Sequence, residues 1–327
     1  MDVYFDKKNT ISFIKDSERD EFQDCLKLMK RQLNCYFNFN KDEIKSDESL
    51  LAFFKLFSSG IGKTKLEFLA EIFPARPLKT TCYQAFNIDQ LSSIYLLDDP
   101  KTNLLKDKGA VIAGIVGEEI KIIYSLFLLN EDYKLDRKLR IGGAEFGRWN
   151  DLEKFQFETS DILIVDPFIV SDQISIECNL LPLLEVLASK AFSKVNVLVY
   201  TQHIEGHLTY DELKSQIKDV VRKSTGVKST FTLIRYRDIR DVKAPQAEHD
   251  RTIFTSYCRY YSGDTFNYWN KDGSKRTKGR ELHIASYGDK ENHDLAKELI
   301  SDIQTNVDSL PPEFIEGDKK SNFLNFT

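Results

Sequence analysis

The residues with the greatest chemical reach stand in one stretch, Glu248-His249-Asp250-Arg251-Thr252-Ile253-Phe254-Thr255-Ser256. An imidazole can act as a nucleophile or as a general acid or base. A cation stabilises charge on the transferring phosphoryl group, and the planar fork of an arginine suits phosphate well. A plainer reading also fits these residues. In it, His249 is hydrogen-bonded at a sheet edge and Arg251 is paired with a nearby carboxylate.

Other candidates have ordinary explanations. The segment Gly60-Ile61-Gly62-Lys63-Thr64 invites a phosphate-loop reading, but Phe57 stands where that motif needs a glycine. A turn between helices explains it better. Cys25, Cys35, Cys82, Cys178 and Cys258 are scattered with no CxxC pair, so no metal site is expected and the thiols read as reduced core residues. His203 and His207 flank Gly206 in a loop after a strand, where solvent exposure is the simpler account.

The charge pattern is uneven. The net charge is −5, yet Arg222–Lys243 holds seven Lys/Arg against two Asp, and Lys271–Arg280 holds five against one. Binding follows the patch that faces the phosphates rather than the total. Arg235, Arg237, Lys275 and Arg276 lie in these stretches. Tyr257, Tyr260, Tyr261, Phe266, Tyr268 and Trp269 lie among Arg259, Lys271, Lys275 and Arg276, where aromatics could stack bases or form the core of a long hairpin.

The elements around these residues are α/β in kind. A chain of 327 residues favours two domains. Asp161–Ile169 is an apolar run expected of a strand covered on both faces. Val195–Tyr200 and Thr230–Tyr236 read as further strands, with Leu180–Phe192 and Tyr210–Lys223 as helices between them. Arg251–Tyr257 and Glu281–Tyr287 follow as strands, then a helix over Asn292–Asn306. The expected divisions are a smaller α+β domain over 1–150, a mixed sheet flanked by helices over 151–310, and a loosely ordered tail over 311–327. In the first domain, Glu18–Leu33 and Glu48–Phe57 read as helices, as does Lys65–Ile72, while Val111–Leu129 reads as strands leading into a buried segment. Arg140–Arg148 is glycine-dense and reads as the connection between domains.

Residues 155–305 resemble the phospholipase D-like superfamily, whose members carry HxK, four residues and Asp. His249 matches the nucleophilic histidine, Arg251 takes the place of the lysine, and Ser256 falls where the family has Asp. Ser262-Gly263 and Asn267 fall where members carry small polar residues lining the phosphate pocket. The triplet is also similar to a divergent branch that includes the C-terminal domain of some MIT-domain proteins and bacterial proteins linked to mobile elements or phage defence. In such branches the fold can serve binding or dimerisation.

The resemblance implies a metal-independent phosphodiesterase with no cofactor, with His249 as nucleophile and Arg251 on the phosphate. Ser256, Arg259, Ser262, Asn267, Lys275, Arg276, Arg235 and Arg237 are the expected phosphate or nucleic-acid contacts. His203, His207, His283 and His293 are followed two residues later by Glu, Thr, Ala and Leu, so no second HxK or HxR exists. Two catalytic histidines would need a homodimer with paired His249 side chains. The expected function is binding or cleaving nucleic acid, in defence against phage or mobile elements, with other proteins of a defence complex as further partners. The alternative is a non-catalytic interaction component with a degenerate site, motivated by Ser256. Phospholipid hydrolysis and membrane partners are disfavoured, because no amphipathic anchor is evident. The polar start of the chain points to the cytoplasm.

Overall fold

The computed structural model describes residues 1–37, 39–59, 92–98, 111–129, 132, 134–202, 209–236 and 250–326. Two compact units emerge, Met1–Leu135 with Tyr287–Lys290 and Asp136–Ser286 with Glu291–Thr327. Lys63-Thr64, Lys65–Ile72, Cys82, His203, His207, Arg237 and His249 lie outside the described residues.

The first unit is built on three parallel strands, β1 (Asp2–Phe5), β2 (Asn34–Phe37) and β3 (Ser93–Leu96), in the order β2-β1-β3. Helices Lys7–Lys15, Asp20–Arg31 and Glu48–Ser58 supply Phe13, Phe22 and Phe53 to a core shared with Phe5 and Phe37. The last two helices fall where the periodicity predicts them. Val111–Leu129 differs from expectation. It makes one strand-like bridge, Ala113 to Tyr95, and then the helix Glu119–Ser125. Ile120 and Ile123 are three apart and both buried, a helical spacing that outweighs β-branched composition.

The second unit is a mixed eight-stranded sheet flanked by helices. Its strands are β4 (Asp136–Arg140), β5 (Asp161–Val165), β6 (Val195–Thr201), β7 (Ser229–Arg235), β8 (Thr252–Phe254), β9 (Cys258–Tyr261), β10 (Glu281–Ser286) and β11 (Ile315–Gly317). Their order is β11-β7-β6-β5-β8-β9-β10-β4. The β5, β6 and β7 strands run parallel, and every other pairing in this sheet is antiparallel. Ile162, Leu163, Ile164 and Val165 are all fully buried, as the unbroken apolar run requires of a strand covered on both faces. The helices Leu181–Leu187 and Tyr210–Thr225 pack together, and Tyr210 stacks on Phe231 of β7.

Two expected boundaries shift. Arg140–Arg148 is not a linker, since β4 already belongs to the sheet and Gly142 turns the chain at φ 77°. Phe146 is then fully buried against Trp149 and Trp269. The segment 311–327 is not loose. β11 adds to β7, and Gly317 (φ 117°) sits so close to the Phe231 carbonyl and the Tyr210 hydroxyl that any Cβ would clash. Beyond it, Asp318 accepts from the Phe231 N–H at 3.0 Å and Leu324 is buried.

Candidate functional site

The parallel strands β5, β6 and β7 end together, and ligands of α/β sheets gather at such C-terminal ends. Asp166 follows β5 directly and is fully buried. Its own N–H donates to the Tyr200 carbonyl at 3.1 Å. Its carboxylate accepts from the Phe168 N–H at 2.8 Å, the Phe266 N–H at 2.7 Å and the Thr265 hydroxyl at 2.8 Å. Asn267 closes the clasp, donating from Nδ2 to the Phe168 carbonyl at 2.7 Å. The Asp166–Phe168 turn is thus gripped by the segment that follows β9.

Arg251 enters from the antiparallel neighbour. Thr252 of β8 pairs with Val165, so Arg251 lies level with the Asp166 turn. Its backbone is left-handed, at φ 34°, which a side-chain-bearing residue adopts at a cost of order 1–3 kcal/mol. The N–H of Ser262 holds this conformation by donating to the carbonyls of both Asp250 (2.9 Å) and Arg251 (3.2 Å). The Ser262 hydroxyl donates to the Glu281 carbonyl at 3.2 Å and accepts from the Asp264 N–H at 3.4 Å.

The electrostatics of the cluster centre on Arg251. Burial pushes the Asp166 carboxyl above its ordinary value, opposed by its hydrogen bonds and by the Arg251 charge. Burial pushes Asp264 up as well. There the hydrogen bonds from Thr277, Thr265 and Gly279, together with Arg251, outweigh it and hold the group below its ordinary value. Tyr268 is fully buried, stacked on Trp149 at 5.0 Å, and its phenol is held strongly un-ionised by burial beside Asp166 and Asp264. A cation whose charge acts on two carboxylates, one of them fully buried, can brace a turn or meet an incoming anion.

The expected site residues separate into groups. Arg251, Ser262 and Asn267 come together around the Asp166 turn. Ser256 does not join them. It lies at the opposite end of β8, where its hydroxyl meets Thr159 at 3.2 Å and accepts from the Ser160 N–H at 3.1 Å. A five-residue step along a strand spans the sheet, so Ser256 cannot share a pocket with Arg251. Arg276 is bidentate on Asp172, at 2.6 and 3.2 Å, with Ser175 as a further acceptor. Arg235 at the end of β7 pairs with Glu316 of β11. Lys275 is exposed in the turn that bridges back to Trp269. Arg259 lies on β9 with its guanidinium 4.2 Å from the Tyr261 ring centroid.

Asp166, Asp264 and Thr265 escaped sequence reasoning. The signal for Asp166 was present, a carboxylate closing an apolar strand in DILIVDPFI. Asp264 and Thr265 follow Ser262-Gly263 directly.

No protein-family model matches the chain, and no curated protein matches it. Among solved structures it is similar to Nuc, a phospholipase D family member from Salmonella typhimurium. That likeness has 9% identity over 50% of this chain and 84% of Nuc, with a TM-score of 0.26. It is also similar to phosphatidylserine synthase of Haemophilus influenzae Rd KW20, with 11% identity over 95% of this chain and 85% of that one, and a TM-score of 0.29.

Proposed function

We propose that the protein binds and cleaves phosphodiesters of nucleic acid at the Arg251 end of the sheet, without a metal. The observation that carries this reading is Arg251 itself, a guanidinium held in left-handed backbone beside the buried Asp166 at the C-terminal ends of parallel strands. Strained backbone of this kind is retained where the surroundings over-determine it, and it clusters at functional sites. In the mechanism, His249 attacks phosphorus and Arg251 neutralises charge on the non-bridging oxygens. The second imidazole, which protonates the leaving oxygen, comes from His249 of another copy, so the active form is a homodimer. The protein acts with others in defence against foreign nucleic acid.

The test is cleavage in EDTA by wild type and His249→Ala, on single-stranded DNA, duplex DNA and RNA, with mass measured by light scattering. Cleavage by a wild-type dimer that disappears in the variant supports the reading. Equal cleavage by both proteins sinks it.

One observation favours a second reading. The Arg251 charge acts on both Asp166 and Asp264, which suits charges that brace the sheet end of a non-catalytic interaction domain. Absence of cleavage by the wild-type dimer, with Arg251→Ala destabilising the fold, supports it.

A further inference from the structure

Of the aromatic side chains gathered around the Asp166 turn, Phe266 and Tyr268 are fully buried, whereas Phe168 is 41% exposed. Among the described residues, no aromatic ring or cation stacks on Phe168. Its backbone is pinned. The Phe168 N–H donates to the Asp166 carboxylate at 2.8 Å. The Phe168 carbonyl accepts from the Asn267 amide at 2.7 Å and from the Ser171 N–H at 3.1 Å. One residue earlier, the ring of Pro167 fixes φ, and its carbonyl accepts from the Thr201 hydroxyl at 3.1 Å. The turn is thus held through its main chain, and the phenyl ring is left to the surface.

A single exposed apolar side chain is ordinary on a protein surface. Phe168 is set apart by its place, on the turn after β5 at the sheet end where ligands of α/β folds gather. One carboxylate joins it to the candidate site, since Asp166 accepts from the Phe168 N–H and is acted on by the Arg251 charge. The segment that grips the turn also leaves room. Gly263 is exposed, and a Cβ added there would meet nothing within 4 Å. A ring whose backbone is already fixed loses little further freedom when it meets a flat partner.

We propose that Phe168 is the base-stacking residue of the Arg251 site, taking an unpaired base of single-stranded nucleic acid while Arg251 meets a phosphate. A nucleotide joins a flat ring to an anion, and this end of the sheet offers an exposed flat ring and a guanidinium linked through Asp166. The faces of bases are open only where a strand is single or a base is flipped out. Every base has such a face, so the contact discriminates against paired strands without selecting a sequence. Because the main chain holds the turn, the ring can be exchanged without undoing it. The role rests on the phosphodiester reading, which puts the phosphate at Arg251.

The test is fluorescence anisotropy of the full chain in EDTA, carrying His249→Ala so that the probes stay whole. The probes are labelled oligothymidylate, an abasic oligomer with the same number of phosphates, and a duplex of equal length. Oligothymidylate is expected to bind on the order of 10-fold more tightly than the abasic oligomer, because only it can stack. Phe168→Ala and Phe168→Leu should both abolish that ratio while abasic binding persists. Phe168→Trp keeps a flat ring and should restore the ratio, with tryptophan fluorescence quenched by oligothymidylate and not by the abasic oligomer. Base-dependent binding that needs Phe168, together with no cleavage by the wild-type protein, overturns the phosphodiester reading alone. Equal affinity for the two oligomers, a preference for duplex, no binding of any probe, or a base preference that survives Phe168→Ala overturns the stacking role. Loss of abasic binding along with the ratio in every variant overturns it too, by making Phe168 a structural residue. Cleavage by wild type would leave the phosphodiester reading standing in each of those cases.

Discussion

The central strand β5 has an aspartate at each end, and the two behave differently. Asp161 opens the strand and Asp166 follows it, and both are buried and pushed above their ordinary value by that burial. Asp161 is held by Asn322 through its N–H (2.7 Å) and its side-chain amide (2.5 Å), by Asn196 at 3.0 Å and by the Ser160 hydroxyl at 2.8 Å. These hydrogen-bond partners are neutral, and two of the four bonds come from Asn322 in the C-terminal segment. Asp166 has comparable hydrogen bonds, but Arg251 adds its charge and the exposed Gly263 and Phe168 lie alongside. A buried carboxylate satisfied by neutral donors is a clasp. Chemistry needs the further cation and a way in.

Breaking the Asp166 end should produce the largest effect. Asp166→Ala leaves the Phe168 and Phe266 N–H groups and the Thr265 hydroxyl without their acceptor. Each buried donor left without its acceptor costs about 1–3 kcal/mol, and three are stranded together, so the urea midpoint should fall accordingly. A loss of less than about 1 kcal/mol, read from the midpoint shift times the slope, would mean that these groups find water instead.

The contrast between the two ends was only partly legible in the sequence. The runs DILIVDPFI and VNVLVY announce covered strands because burial on both faces leaves no polar alternation to blur them. The helices Asp20–Arg31 and Tyr210–Thr225 declare themselves through apolar spacing. What could not be read is pairing across distance. β4 joins β10 across more than a hundred residues, and β11 docks a polar tail onto β7 through Gly317, whose need for φ > 0 and close approach appears only once the partner is known. The site shows the same division. Arg251 is marked by its neighbours in sequence, whereas Asp166 and Asp264 meet it only because β5, β8 and the turn after β9 converge. Ser256 was drawn into the site by counting residues, when the strand carries it to the far end.

The Asp161 end sharpens the comparison. Asn322→Ala removes the amide that meets Asp161 and should cost about 1–3 kcal/mol, the penalty for leaving a buried acceptor short of a donor. Thermal unfolding should show the loss, while nucleic-acid binding stays at the wild-type level. A fall in affinity beyond twofold would show that the two ends are coupled through β5.

Acid titration tests the burial that both ends share. A carboxyl whose folded value lies above its ordinary 3.8 binds protons more tightly in the fold than in the unfolded chain. Its stabilising contribution is full below 3.8 and declines as pH rises through the folded value. Asp161→Asn removes that decline, so the stability of the variant relative to wild type should rise with pH above 3.8. Denaturant midpoints measured across that range check the sign. A relative stability that is flat or falls would mean that Asp161 is ionised in the fold with no penalty.

The smallest effect belongs to Arg276, which sequence reasoning assigned to phosphate and which the fold ties to Asp172. That bond, more than any other interaction, holds the Asp172 carboxyl down at about 2, opposed by its partial burial. The sign is opposite to that of Asp161. A lowered value contributes stability above the ordinary 3.8 that is lost as pH falls through about 2. Both side chains remain partly exposed, at 30% and 38%, so solvent screens the pair and Arg276→Ala should cost no more than about 1 kcal/mol near neutrality. The deficit should shrink as the pH is taken below 3.8. With its guanidinium engaged, Arg276 should also add little to nucleic-acid affinity, and its variant should keep the wild-type salt slope. A shallower slope would mean that the guanidinium leaves Asp172 for a phosphate, and the 271–280 turn would then belong to the binding surface.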